Sequence, residues 1–131
     1  MTQKHIITLL ILLFSTNISC AQKQESIPQI SVAELRKNPD KYHNKKVAIS
    51  GYLKLQFEGR CLYENEQECI DKLYDQNLYV FIASDRNYGA LKKKYNLKYV
   101  TIVSTFRKDR KGHFSMFFGG LMGIDTIEVK S

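Results

Sequence analysis

The stretch Lys46-Val47-Ala48-Ile49-Ser50-Gly51-Tyr52-Leu53-Lys54-Leu55-Gln56-Phe57 alternates along its whole length. Val47, Ile49, Leu53, Leu55 and Phe57 fall on one side, with Gly51 in register between them. Lys46, Ala48, Ser50, Tyr52, Lys54 and Gln56 fall on the other. Successive side chains of a strand point to opposite faces, so this pattern predicts a long strand with one face buried. A glycine in its middle predicts a bulge or a sharp bend, of the kind that wraps one strand around a small barrel.

Downstream, Glu58-Gly59 has the composition of a turn, and a second short strand is expected over 60–63. The charged segment 64–76 carries Cys69, Ile70 and Leu73 at helical spacing and predicts a small helix or an ordered loop. A third strand covers 78–82. Tyr88, Leu91 and Tyr95 mark one face of a helix, and a fourth strand covers 99–106. Asp109-Arg110-Lys111-Gly112 is a turn. A fifth strand is expected to begin near His113, pass through Gly119-Gly120 and run to 129. Upstream, Ser31-Val32-Ala33-Glu34 is a capping box, flanked by Ile30 and Leu35 as a hydrophobic staple. Asn38-Pro39 ends that helix. The fold class is therefore mainly β: five strands, a short N-terminal helix, and a helix between strands three and four. This order resembles the OB-fold, a small Greek-key barrel. A different small open barrel or an α+β sheet is the alternative.

The N-terminus carries an address. Lys4 precedes an apolar run over 6–14, and small residues follow in Ser15-Thr16-Asn17-Ile18-Ser19-Cys20-Ala21. A basic start, a short apolar run and small residues at a break make a secretory signal peptide over 1–19. The run is too short for the ~20 residues that span a bilayer. Two cleavage readings stand. In the preferred one the chain is cut before Cys20, whose thiol carries lipid: Asn17-Ile18-Ser19-Cys20 resembles the lipobox of bacterial lipoproteins, with Asn17 where leucine is usual. In the other, an ordinary peptidase cuts after Ala21. Residues 20–29 are polar and read as a tether, and 30–131 as the barrel domain.

A net charge of +7 favours acidic partners such as anionic lipid, polyanionic glycans or nucleic acid. Its spread over Lys45-Lys46, Lys92-Lys93-Lys94 and Arg107-Lys108-Asp109-Arg110-Lys111 also fits plain solvated surface, and that reading is preferred. With Cys20 lipidated or removed, Cys61 and Cys69 remain, and an even pair in an oxidising compartment predicts a disulfide. Closing so short a loop would contribute about 2–3 kcal/mol. His43 and His113 sit at no recognised ligand spacing from these cysteines, so neither a metal nor another cofactor is expected.

The run from Ser31 to Val47, with Leu35, Asn38-Pro39, Tyr42, Lys45 and Val47 at fixed spacing, is followed by Gly51-Tyr52-Leu53. This is similar to the opening of a group of uncharacterised exported bacterial proteins with an OB-fold-like domain. Asn44 stands where that group has glycine, and asparagine also tolerates a left-handed turn. Tyr99-Val100, Gly112-His113 and Gly120-Leu121 echo the same group. The resemblance implies a fold and an export route, and no activity.

No nucleophile, base and acid can be assembled from spacing. His113 follows a turn glycine and is a candidate anion ligand or proton carrier; a backbone-bonded turn histidine is the plainer reading, and His43 is weaker still. Phe114 and Met116 should face one way, with Ser115 and Phe117 facing the other. Tyr52 and Tyr79, outward on the first and third strands, are the preferred stacking platform, with Arg107 and Arg110 on nearby basic loops. The expected function is a non-enzymatic, exported, envelope-associated binding or structural module. It would be held by a lipid anchor and would engage an envelope protein or an anionic ligand. The alternative is an oligonucleotide- or polyanion-binding OB-fold protein, against which export argues. A small envelope hydrolase, a third class, lacks a nucleophile constellation.

Overall fold

The computed structural model describes residues 25–57, 59–83 and 88–131; the expected signal peptide and the expected lipid site at Cys20 lie outside them. The elements, in chain order, are β1 (Gln29–Ser31), α1 (Val32–Lys37), α2 (Pro39–Tyr42), β2 (Lys46–Lys54), β3 (Cys61–Tyr63), α3 (Glu66–Ile70), β4 (Leu78–Val80), α4 (Tyr88–Tyr95), β5 (Lys98–Arg107) and β6 (Gly119–Val129). β2 pairs antiparallel with β3, β3 antiparallel with β4, and β4 parallel with β6. β6 then pairs antiparallel with β5, and β5 closes back on β2 over Lys46–Leu53. Five strands thus form a closed mixed barrel, OB-like in order, with α4 between the third and fourth barrel strands. Closure leaves no long open edge.

Where the expected tether meets the domain, the chain forms a strand that the polarity of 20–29 does not announce. β1 runs parallel to β2, with Gln29, Ile30 and Ser31 opposite Ala48, Ile49 and Ser50. It covers the part of the β2 edge that β3 is too short to reach. Gly51 sits between the two partners, and the expected bulge is absent there. The glycine is needed for close approach instead, because a Cβ would come within 2.5 Å of the Tyr63 carbonyl oxygen. The irregularity lies in the pairing of β5 with β6, between Val103 and Thr105.

The barrel interior is built from Val47, Ile49, Leu53 and Leu55 of the first stretch, meeting Leu62, Ile102, Phe106 and Leu121. At the N-terminus, the Glu34 N–H donates to Ser31 Oγ at 3.1 Å, which caps α1 and points Val32 and Leu35 into the core. Tyr88, Leu91 and Tyr95 of α4 pack on the same core. Phe57 is a correction. Pairing of β2 stops at Lys54, Asn96 Oδ1 takes the Leu55 N–H at 2.7 Å, and the chain leaves the sheet. Alternation ends with it, so Phe57 faces solvent.

A second apolar layer lies outside the barrel wall. All residues of β3 and β4 are buried. Leu62, Leu78 and Val80 point inward, while Cys61, Tyr63 and Tyr79 point outward and are covered by Cys69 and Phe117, with Tyr52, Tyr74 and Phe81 at the margin. Asn77, fully buried, ties this layer together. Its Oδ1 accepts from the Glu64 N–H at 3.0 Å, its Nδ2 donates to the Leu73 carbonyl at 2.6 Å, and its own carbonyl accepts from the Phe118 N–H at 3.3 Å. A buried side-chain amide satisfied on both ends fixes its segment in one conformation.

Three more expectations change here. Tyr79 does point out of the barrel, but it is only 7% exposed because the second layer covers it. Cys61 and Cys69 are both free thiols, buried in the same cluster, and not a disulfide. The fifth barrel strand begins at Gly119 and not near His113: Gly112, Phe114 and Ser115 all have positive φ, which no strand can accommodate.

Candidate functional site

Two loops converge outside the second layer, the β2–β3 loop over 55–60 and the β5–β6 loop over 108–118. Between them is an open cavity of about 710 Å³ lined by Gln56, Phe57, Gly59, Tyr74, His113, Phe114, Met116 and Phe117. Phe57 (84% exposed) and Phe114 (95%) form its rims, and Met116 (41%) lies between floor and rim. An exposed aromatic ring forgoes the 1.5–3 kcal/mol that burial would return. Two of them at one opening form an exposed apolar patch.

The local sequence explains why Phe114 stands out. Gly112 adopts φ 67°, ψ −157°, a conformation essentially reserved for glycine. A Cβ there would also meet the Tyr79 ring at 2.6 Å. Tyr79 is the post on which the loop rests. Phe117 packs edge-on against it at 5.3 Å between ring centres, His113 at 5.6 Å and Phe81 at 4.7 Å, and Phe117 also meets Tyr74 at 5.7 Å. With Phe117 anchored, the chain turns through Phe114 (φ 53°, ψ 22°) and Ser115 (φ 54°). Left-handed conformations cost a side-chain-bearing residue about 1–2 kcal/mol each. Backbone hydrogen bonds hold them: Ser115 N–H to the Gly112 carbonyl, Met116 N–H to that of His113, and Phe117 N–H to that of Lys111, at 3.1–3.3 Å.

The electrostatics of the β5–β6 loop divide its cations into two sets. Arg107 donates from Nε and Nη2 to the two carboxylate oxygens of Asp109, at 2.9 and 2.7 Å, which holds the Asp109 carboxyl down at about 2. Lys108 pairs with Asp40, lowering that carboxyl as well, and its N–H donates to His43 Nδ1 at 3.1 Å. Arg110 and Lys111 are exposed and have no ion-pair partner among the described residues.

Of the residues singled out from sequence, His113 lines the cavity, and Arg110 lies exposed in the same β5–β6 loop. Arg107 is paired with Asp109. Tyr79 supports the loop from beneath. Tyr52 is half-buried against the second layer, away from the cavity, and burial raises its hydroxyl pKa. Burial likewise pushes the Cys61 and Cys69 thiols up, away from the thiolate a catalytic pair would need. His43 serves as a backbone acceptor. The aromatic rings that stand out at this opening are Phe57 and Phe114, and not Tyr52 or Tyr79. The usable sequence signal was the OB-like order itself, since ligands of such barrels lie across strands two and three between these two loops. Among the described residues no group of three acidic, histidine or cysteine side chains is placed to hold a metal ion. No family model, curated protein or solved structure matches the chain.

Proposed function

We propose that this chain is a non-enzymatic binding module of the bacterial envelope, exported by its N-terminal signal and held by lipid on Cys20. Its working surface is the cavity between the β2–β3 and β5–β6 loops. The observation that carries this reading is the pair of exposed phenylalanine rims, Phe57 and Phe114, the second held out by a strained backbone. Phe114 and Ser115 are two successive side-chain-bearing residues with positive φ, and strain doubled in one loop supports a functional role there. The site offers apolar contact area and one histidine, which suits capture and not chemistry.

A photo-crosslinking residue placed at 57 or 114 in cells tests this. It should yield a discrete adduct that the same probe at Glu128, exposed on β6, does not. Equal labelling from all three positions would remove the site. A second reading, polyanion or single-stranded nucleic acid binding, is favoured by Arg110 and Lys111 beside an exposed ring, the combination that stacks bases and tracks phosphates. Affinity for an oligonucleotide that falls steeply with salt and depends on Phe114 would select it.

A further inference from the structure

We propose that the loop bearing Phe114, together with the segment where the chain enters the domain, docks on an anionic lipid surface. The proposal rests on the site described above and names its partner.

The entering segment, residues 25–28, lines a second cavity of about 710 Å³ with Lys41, Tyr42, Lys45 and Lys46. A run of contacts connects this region to the β5–β6 loop. Lys108 bonds Asp40 and His43, and the Asn44 N–H donates to the Phe106 carbonyl at 2.8 Å. The charges do not cancel along this surface. Lys46 is paired with Asp125, Lys108 with Asp40 and Arg107 with Asp109. That leaves Lys41, Lys45, Arg110 and Lys111 against Glu25. Exposed apolar side chains line the same two cavities: Phe114, Phe57 and Met116 at one, Ile27 (42% exposed) at the other. Cations set around protruding apolar side chains match the interfacial zone of a bilayer, where headgroups are anionic and the acyl boundary lies just below.

The chain's own geometry agrees. Glu25 is five residues from Cys20, so a lipid on that thiol would hold Glu25 within about 18 Å of the membrane. The surface that carries Glu25 is then the one already facing it. A protein partner with an acidic segment would satisfy the same cations, but nothing would confine it to the side where the tether emerges.

The chain has no tryptophan, so Phe114→Trp installs a single reporter at an exposed position. The protein used is the chain from residue 20 onward carrying Cys20→Ser. It keeps every residue of both core clusters and lacks both the acyl group and the apolar leader. With vesicles of phosphatidylcholine containing about one-third phosphatidylglycerol, the Phe114→Trp emission should shift to the blue and the protein should sediment with the lipid. Pure phosphatidylcholine should do neither, and high salt should reverse both. Each cation at the surface is worth roughly fivefold in partitioning, so Arg110→Gln with Lys111→Gln should weaken binding about 25-fold. Phe114→Ser should weaken it at least about tenfold. A tryptophan placed by Glu128→Trp should not shift. No shift from Phe114→Trp, an equal shift from Glu128→Trp, or a shift with an acidic peptide or oligonucleotide but not with vesicles would each overturn the proposal. If vesicles fail while crosslinks from residue 114 persist in cells, lipid docking falls and the binding cavity stands.

Discussion

Replacing Tyr79 by alanine should cost about 4 kcal/mol of folding stability. The ring is 7% exposed and meets Phe81, His113 and Phe117 at 4.7–5.6 Å between centres. Removing a buried aromatic ring costs 3–5 kcal/mol. Three edge-on contacts place Tyr79 in the middle of that range or above it, since each aromatic pair adds ~0.5–1.5 kcal/mol beyond area. For a domain of this size the thermal midpoint should fall by roughly 16 °C or more. Tyr79→Phe keeps the ring and should be nearly neutral, as its hydroxyl makes no hydrogen bond among the described residues. Urea denaturation of the two variants side by side gives both numbers. The alanine variant should also lose order in 112–117, seen as rapid amide exchange of Ser115, Met116 and Phe117, whose N–H groups close the loop. A loss below about 1 kcal/mol, or unchanged exchange in that loop, would refute Tyr79 as the post beneath the site.

Asn77→Ala should destabilise by about 3 kcal/mol in the same assay. It strands the Glu64 N–H and the Leu73 carbonyl, each worth ~1–3 kcal/mol when left unpaired; a neutral outcome would mean water replaces the amide. Cys61 and Cys69 should resist a thiol reagent in the native protein, being buried with raised pKa values, and both should react once the chain is unfolded without reductant. Absence of reactive thiol at either position would show that they are joined. Asp109 should titrate near 2, below the ordinary 3.8, because Arg107 donates two hydrogen bonds to it. A lowered folded pKa means the contact is intact above the ordinary value and is lost as pH falls through about 2. Carboxyl-carbon NMR reads the midpoint directly, and a value unchanged in Arg107→Gln would remove the cause.

Much of the barrel is legible from local pattern. Alternation over 46–55 identifies the organising strand and its inner face, the Ser31–Glu34 box identifies α1, and Tyr88, Leu91 and Tyr95 identify the face of α4 that meets the core. Alternation fails in two ways. It persists on paper past Lys54, so Phe57 looks inward, because nothing local announces that Asn96, 41 positions on, takes the Leu55 N–H. It also sorts side chains into two faces without saying whether the second face is covered. Tyr79, Cys61 and Tyr63 are outward and still buried, because Cys69 of α3 and Phe117 of the far β5–β6 loop cover them. The β5–β6 loop is hidden for another reason. Gly112 signals a turn, but Phe114 and Ser115 carry no preference for the left-handed region they occupy, so their segment looks like the start of a strand. His113 and Arg110 are identifiable from charge and turn chemistry, whereas the rims of the cavity that His113 lines depend on tertiary structure.

The second layer makes stability and site inseparable. β3 and β4 are three residues each, too short to hold a barrel wall by pairing alone. Their outer faces are covered by α3 and the β5–β6 loop, and the loop can do this only because Phe117 is buried against Tyr79. The same burial forces the chain between Gly112 and Phe117 to bridge a short gap, and the bridge presents Phe114 to solvent. Phe114 itself contributes little to the fold, which leaves its identity free to answer to a partner. Binding lost in Tyr79→Ala would therefore report a collapsed loop, while binding lost in Phe114→Ser or Phe57→Ser, with the midpoint unchanged, would report a lost contact. Only the second kind of variant can assign the surface.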